Sequence, residues 1–163
     1  MKKIMILLML TVSCFIGIQA AGDITESETV KHLVMKMQPD PMRSNVYDDG
    51  QCTYYVFDKV KEHGQMIERS WHDAKYWAER AEEDGYEVNG KPAVGSILQS
   101  PRGKQGHVAY VEKVNDNGSI EVSEMNYIAP FKVSTRTIDA DRIDRYSYIH
   151  PKENPHAVQS QTV

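Results

Sequence analysis

The chain has 163 residues, with 23 acidic against 19 basic side chains, 40% hydrophobic residues and two cysteines. A formal charge of -4 spread without a basic patch argues against nucleic acid as a partner. The length suits one domain with a real core, and no internal repeat or low-complexity tract suggests otherwise.

Lys2 and Lys3 precede an apolar run, Ile4 to Ile18, and a small-residue region, Gln19-Ala20-Ala21. That is the layout of a secretory signal over residues 1–21. The run is too short and too weakly flanked for a membrane span, so no stable span is expected after cleavage. The mature chain is then expected outside the cytoplasm, in the medium, the wall or the periplasm. Cys14 leaves with the signal. Reading it as an acylated lipoprotein cysteine would leave only Ile4 to Leu10 as an apolar core.

Over residues 22–44, Val30, Leu33, Val34 and Met37 recur at i, i+3, i+4, i+7 and predict an amphipathic helix from Thr25 to Gln38. Pro39 and Pro41 end it, and loop follows to Gly50. Asp49-Gly50 is a turn signal, after which Tyr55, Val56 and Val60 return at helical spacing and predict a helix from Cys52 to about Glu62. Cys52 is the one cysteine left in an exported chain, so it has no internal disulfide partner. In the first turn of a helix, unpaired backbone N–H groups and the positive end of the dipole favour its thiolate. The Cys52 amide and the Gln51 side chain are then candidate donors to an oxyanion. The alternative is a small buried apolar residue without chemistry.

Ser70 and Asp73 have capping-box spacing ahead of Ala74, Trp77, Ala78 and Ala81, which predicts a second helix with Trp71 and Trp77 in the core. After Gly85 the period changes. Ala93 to Leu98, His107 to Val114, Ser119 to Asn126, Val133 to Ile138 and Arg145 to Ile149 read as strands, and Lys152 onward as a polar tail. Helices followed by an antiparallel sheet make the fold class α+β.

Asn115-Asp116-Asn117-Gly118 is a hairpin turn. If Asn115 faces Gly118, Val111 lies opposite Val122, Ala109 opposite Glu124 and His107 opposite Asn126. One face then carries His107, Glu124 and Asn126 at the end away from the turn. Three polar side chains on a core face need mutual bonds. A base with its orienting groups meets that need: His107 takes the Cys52 proton while Glu124 or Asn126 holds the imidazole. The alternative turns this face to solvent and Val108 and Tyr110 to the core.

These pieces resemble the CHAP family of cysteine- and histidine-dependent amidohydrolases/peptidases. They are Gly50-Gln51-Cys52-Thr53-Tyr54-Tyr55-Val56, Trp71 with Asp73-Ala74 and Trp77, Pro92-Ala93-Val94-Gly95-Ser96-Ile97, Gly106-His107-Val108-Ala109-Tyr110-Val111 and Ile120-Glu121-Val122-Ser123-Glu124-Met125-Asn126. They occur in the family's order over roughly residues 45–150, with 151–163 left as tail. The resemblance implies a papain-like fold, Cys52 as nucleophile, His107 as base and acid, Glu124 as third member and Asn126 close by, acting on peptidoglycan without a cofactor. Some relatives bind calcium in the loop before the cysteine. Here Asp48 and Asp49 stand among Arg43, Asn45 and Tyr47, and no metal is expected. A binding or assembly protein without turnover and an antibacterial toxin with the same chemistry are the rival readings.

Overall fold

A computed structural model describes residues 28–157, which divide after Pro39 into two units. The expected signal, with Cys14, lies outside the described residues. Among the described residues no helix is long and apolar enough to cross a membrane. The first unit contains helix α1 (Glu28–Met37), where the 3.6-residue period places it, closed by a turn from the Gln38 N–H to the Met35 carbonyl.

The second unit begins earlier than the motifs suggest. Met42 is fully buried and its sulfur accepts from the Ile67 N–H, so Asp40 to Ser44 belong to the domain rather than to a linker. Helix α2 (Cys52–Glu62) starts at Cys52, buries Thr53, Val56, Phe57 and Val60, and stops at His63, whose N–H bonds the Lys59 carbonyl. Gly64 then turns the chain at φ +70. A two-residue strand β1 (Gln65–Met66) follows.

The capping box does not form. His72 takes a left-handed φ of 59°, its carbonyl accepts from the Trp77 indole at 3.0 Å, and a 3-10 turn (Ala74–Tyr76) leads into helix α3 (Trp77–Glu83) with no side-chain cap at Asp73. Trp71 and Trp77 are core, as their spacing predicts, and pack edge to face at 5.5 Å.

A six-stranded antiparallel sheet holds β2 (Glu87–Asn89), β3 (Ile97–Ser100), β4 (His107–Val114), β5 (Ile120–Met125), β6 (Val133–Ile138) and β7 (Ser147–His150), in the order β2-β7-β3-β4-β5-β6. Helices with an antiparallel sheet are the α+β class that the sequence predicts. Strand β3 starts later than expected because Ala93 to Ser96 form a turn, with the Ser96 N–H on the Ala93 carbonyl.

Val111 faces Val122 as predicted, by way of two offsets that cancel. At the turn the Asn115 N–H reaches Ser119 rather than Gly118, and a bulge at Glu112 then takes the extra residue back. Both faces of β4 are covered. Ala109 and Val111 join Leu98, Ile120, Val122, Ile138 and Tyr148 in one buried cluster. On the other face the Tyr110 ring meets Lys59 of α2 and His63 just past its end.

The chain after His150 is not a free tail. Strand β8 (Lys152–Glu153) pairs with β1, the Asn154 N–H bonds the Gly64 carbonyl, and its amide reaches Asp40 at 3.1 Å. Polar composition misled here because a two-residue pairing carries no apolar signature.

Candidate active site

Cys52 stands at the start of α2, behind Gln51 in extended conformation (φ -96, ψ 157) with no side-chain cap. The first-turn N–H groups are therefore left to other acceptors, and the sulfur is one. Burial pushes the Cys52 thiol up. A hydrogen bond and charge from His107, with the backbone N–H groups of Val108 and Thr53, outweigh burial and hold the thiol below its ordinary range.

His107 opens β4, where its Nε2 lies 2.9 Å from Glu124 Oε2 on β5. That contact commits Nε2–H to the carboxylate and leaves Nδ1 for the sulfur. Burial alone would lower the imidazole, but its bonds to Cys52 and Glu124 raise it to about 9. A thiol held low beside an imidazole held high favours the thiolate–imidazolium pair at neutral pH.

Glu124 has no exposed side-chain surface. Its second partner, Arg136 on β6, does not stand out in the sequence. Arg136 grips the carboxylate with Nε at 2.6 Å from Oε1 and a terminal nitrogen at 3.2 Å from Oε2. Burial would raise the Glu124 carboxyl, and the hydrogen bonds and charges of His107 and Arg136 hold it below the usual range. The Arg136 guanidinium also lies 4.1 Å from the centre of the Tyr127 ring, which in turn leans over His107 at 5.5 Å. An arginine two residues from buried Ile138, on the same strand face, was the available signal.

Asn126 does not hold the imidazole. Strand β5 ends at Met125, and Asn126 turns to φ +67, so its side chain leaves the face that alternation had assigned to it. Its Nδ2 donates to Gln51 Oε1 at 3.1 Å, and its Oδ1 accepts from the Phe131 N–H. The Phe131 ring lies against Gly50, where a Cβ would come within 2.0 Å of it.

Gln51, Cys52, His107 and Asn126 line a cleft of about 710 Å³, together with segments 46–48, 72–74, 105–106 and 127–130. Among the described residues, the three non-glycine positions with positive φ, His72, Asn126 and Phe131, are in its lining or next to it. His63, His150 and His156 serve elsewhere; His63 and His150 bond the Lys59 carbonyl and Asn89. Among the described residues no group of three or more His, Cys, Asp or Glu side chains is placed to hold a metal ion.

The approach to His107 is pinned from below. Gln99, buried on β3, donates to the Ala74 and Lys75 carbonyls, and the Lys75 N–H bonds the Gln105 carbonyl at 2.9 Å. Gly106 (φ +74) has space for no side chain, since a Cβ would sit 2.4 Å from the Lys75 nitrogen. Gly106→Ala is expected to cost about 2–3 kcal/mol from left-handed strain and overpacking, read as a lower urea midpoint at unchanged slope.

The described domain thus joins a helix-terminal thiol, a strand histidine and a buried carboxylate in one α+β fold. Comparison with known proteins then places it: residues 42–126 match the CHAP domain, and the chain belongs to the CHAP domain family. It is 54% identical over 107 residues, 65% of this chain and 40% of the relative, to "Probable autolysin SsaALP" of Staphylococcus aureus. The same identity and coverage hold for "Staphylococcal secretory antigen SsaA" of Staphylococcus epidermidis. The chain therefore spans about 40% of the length of these curated relatives. A solved structure of N-acetylmuramoyl-L-alanine amidase from Staphylococcus aureus superposes with a TM-score of 0.64 at 36% identity, over 71% of this chain and 35% of that one.

Proposed function

We propose that the chain is a secreted peptidoglycan hydrolase that cuts an amide or peptide bond through a cysteine acyl-enzyme. The single observation that carries this reading is the placement of Cys52 and His107 in the lining of one cleft, with the imidazole bonded to the buried, arginine-held Glu124. The resemblance to proteins named as an autolysin and an amidase supports the substrate class.

In this reading the Cys52 thiolate attacks the carbonyl carbon, and the negative oxygen is held by the backbone N–H at the helix start and by the Gln51 amide. His107, carrying the thiol's proton, gives it to the leaving nitrogen as the C–N bond breaks. A water then loses its proton to His107 and attacks the thioester, and the thiolate departs with the proton balance restored. Glu124 fixes the ring and balances its positive charge throughout. Residues 1–21 would direct export.

Mass spectrometry of purified walls digested with the protein tests this directly. New amino termini on L-alanine, with freed muramic acid carboxylates, mark an amidase, and new termini on glycine or other residues mark an endopeptidase. Walls that yield no new termini of either kind end the hydrolase reading and leave a binding protein.

A further inference from the structure

We infer that Asn126 is a positioning residue for Gln51 rather than for the imidazole, and that together they fix which end of the Gln51 amide faces the substrate. The inference rests on the proposed role of Cys52 and asks what aims the donor beside it.

One group at this end of the cleft has a polarity that cannot change. A backbone N–H only donates, so the Phe131 N–H commits Asn126 Oδ1 as its acceptor. Asn126 must then present Nδ2 to Gln51, and Gln51 must answer with Oε1, as it does at 3.1 Å. The Gln51 Nε2 is left with both hydrogens and no partner among the described residues, in a residue that lines the cleft next to Cys52. An amide that could otherwise rotate by half a turn, offering an acceptor where an oxyanion forms, is thus held with its donor end outward.

The surrounding backbone is built for this. Asn126 takes a left-handed φ of 67°, which an asparagine tolerates better than most residues. Its N–H is tied to the Lys132 carbonyl, and the Lys132 N–H to the Ala129 carbonyl, so the 126–132 loop closes on itself. The Phe131 ring on Gly50 and the Asn126 amide on Gln51 dock that loop onto the two residues that precede the cysteine.

Asn126→Asp tests the relay. Aspartate is isosteric and tolerates the same backbone, but it only accepts. One oxygen keeps the Phe131 N–H, and the other calls the Gln51 amide hydrogens away from the cleft. In 15N spectra of the full chain, the Gln51 side-chain amide, assigned by its loss in Gln51→Glu, is expected to move downfield and exchange more slowly in Asn126→Asp. Its kcat on purified walls is expected to fall about 10²-fold with KM little changed. No further loss is expected when Asn126→Asp is added to Gln51→Ala. Gln51→Glu, which still accepts from Asn126 and leaves the loop bonds in place, is expected to lose kcat by a similar factor. Alkylation of Cys52 against pH should superimpose on the wild type in Asn126→Gly, which adds no charge and tolerates the left-handed backbone. An unmoved Gln51 amide, additive losses, wild-type kcat in Gln51→Glu or a displaced alkylation profile overturns the inference, the last because it returns Asn126 to the imidazole. A wild-type protein that cuts no wall sinks the proposed function, whereas the Gln51 resonance still decides the relay.

Discussion

Cys52→Ala is expected to reduce wall hydrolysis by at least about 10⁴-fold while the thermal midpoint stays within a few degrees of the wild type. The sulfur is half-buried at the helix start, and the buried face of α2 is made by Thr53, Val56, Phe57 and Val60, which the change does not touch. Removing one small group there costs on the order of 1 kcal/mol or less. The pH profile follows from the same contacts. The thiol is held low and the imidazole is raised to about 9, so hydrolysis should rise with pH as the thiolate forms, hold through neutrality, and fall as His107 loses its proton near that value. A clearing assay on purified walls from acid to alkaline pH reads both limbs. Undiminished clearing by the alanine variant would remove the nucleophile from the account.

Arg136→Met should produce the largest loss of stability, roughly 3 kcal/mol, because it leaves a fully buried carboxylate with the imidazole as its remaining charged partner. The pH dependence has a definite sign. Glu124 is held below the ordinary carboxylate range, so its contribution is present above that range and is lost as pH falls through the depressed value. Without the guanidinium the depression shrinks, and the acid limb of the stability profile should move to higher pH. His107 works in the opposite sense: its contribution is full below the ordinary imidazole value and is lost as pH rises through about 9. Urea titrations at several pH values measure both limbs. Arg136→Lys keeps the charge but not the two-pronged grip and should fall between the two. A variant as stable as the wild type, with an unmoved acid limb, would mean that Glu124 does not depend on Arg136.

Why some of this was visible in the residues and some was not comes down to the range of each interaction. Cys52 at a helix start followed from a turn signal and a 3.6-residue period, both local. His107 and Glu124 on one face followed from two-residue alternation once the turn set a register. That register came out right at the far end only because the bulge at Glu112 undid an extra residue at the turn. Alternation failed at Asn126 because one left-handed residue ends the strand there. Arg136 was missed because its partner lies on a neighbouring strand across a loop whose length fixes no register. The pairing of Lys152–Glu153 with Gln65–Met66 joins segments far apart in the chain, and nothing local foretells it.

The bulge at Glu112 has a mechanical consequence. It puts that carboxylate 2.8 Å from Lys59 on the helix and 2.6 Å from the Ser123 hydroxyl, which riveted together fasten α2 to the hairpin. Lys59 lies seven residues from Cys52, about 10 Å along the helix axis. The helix is held along its buried face by Val56, Phe57 and Val60, and the Lys59–Glu112 pair adds a polar fixed point toward its far end. An ion pair two turns from the sulfur, outside the lining of the cleft, thus helps to hold the element that carries the thiol.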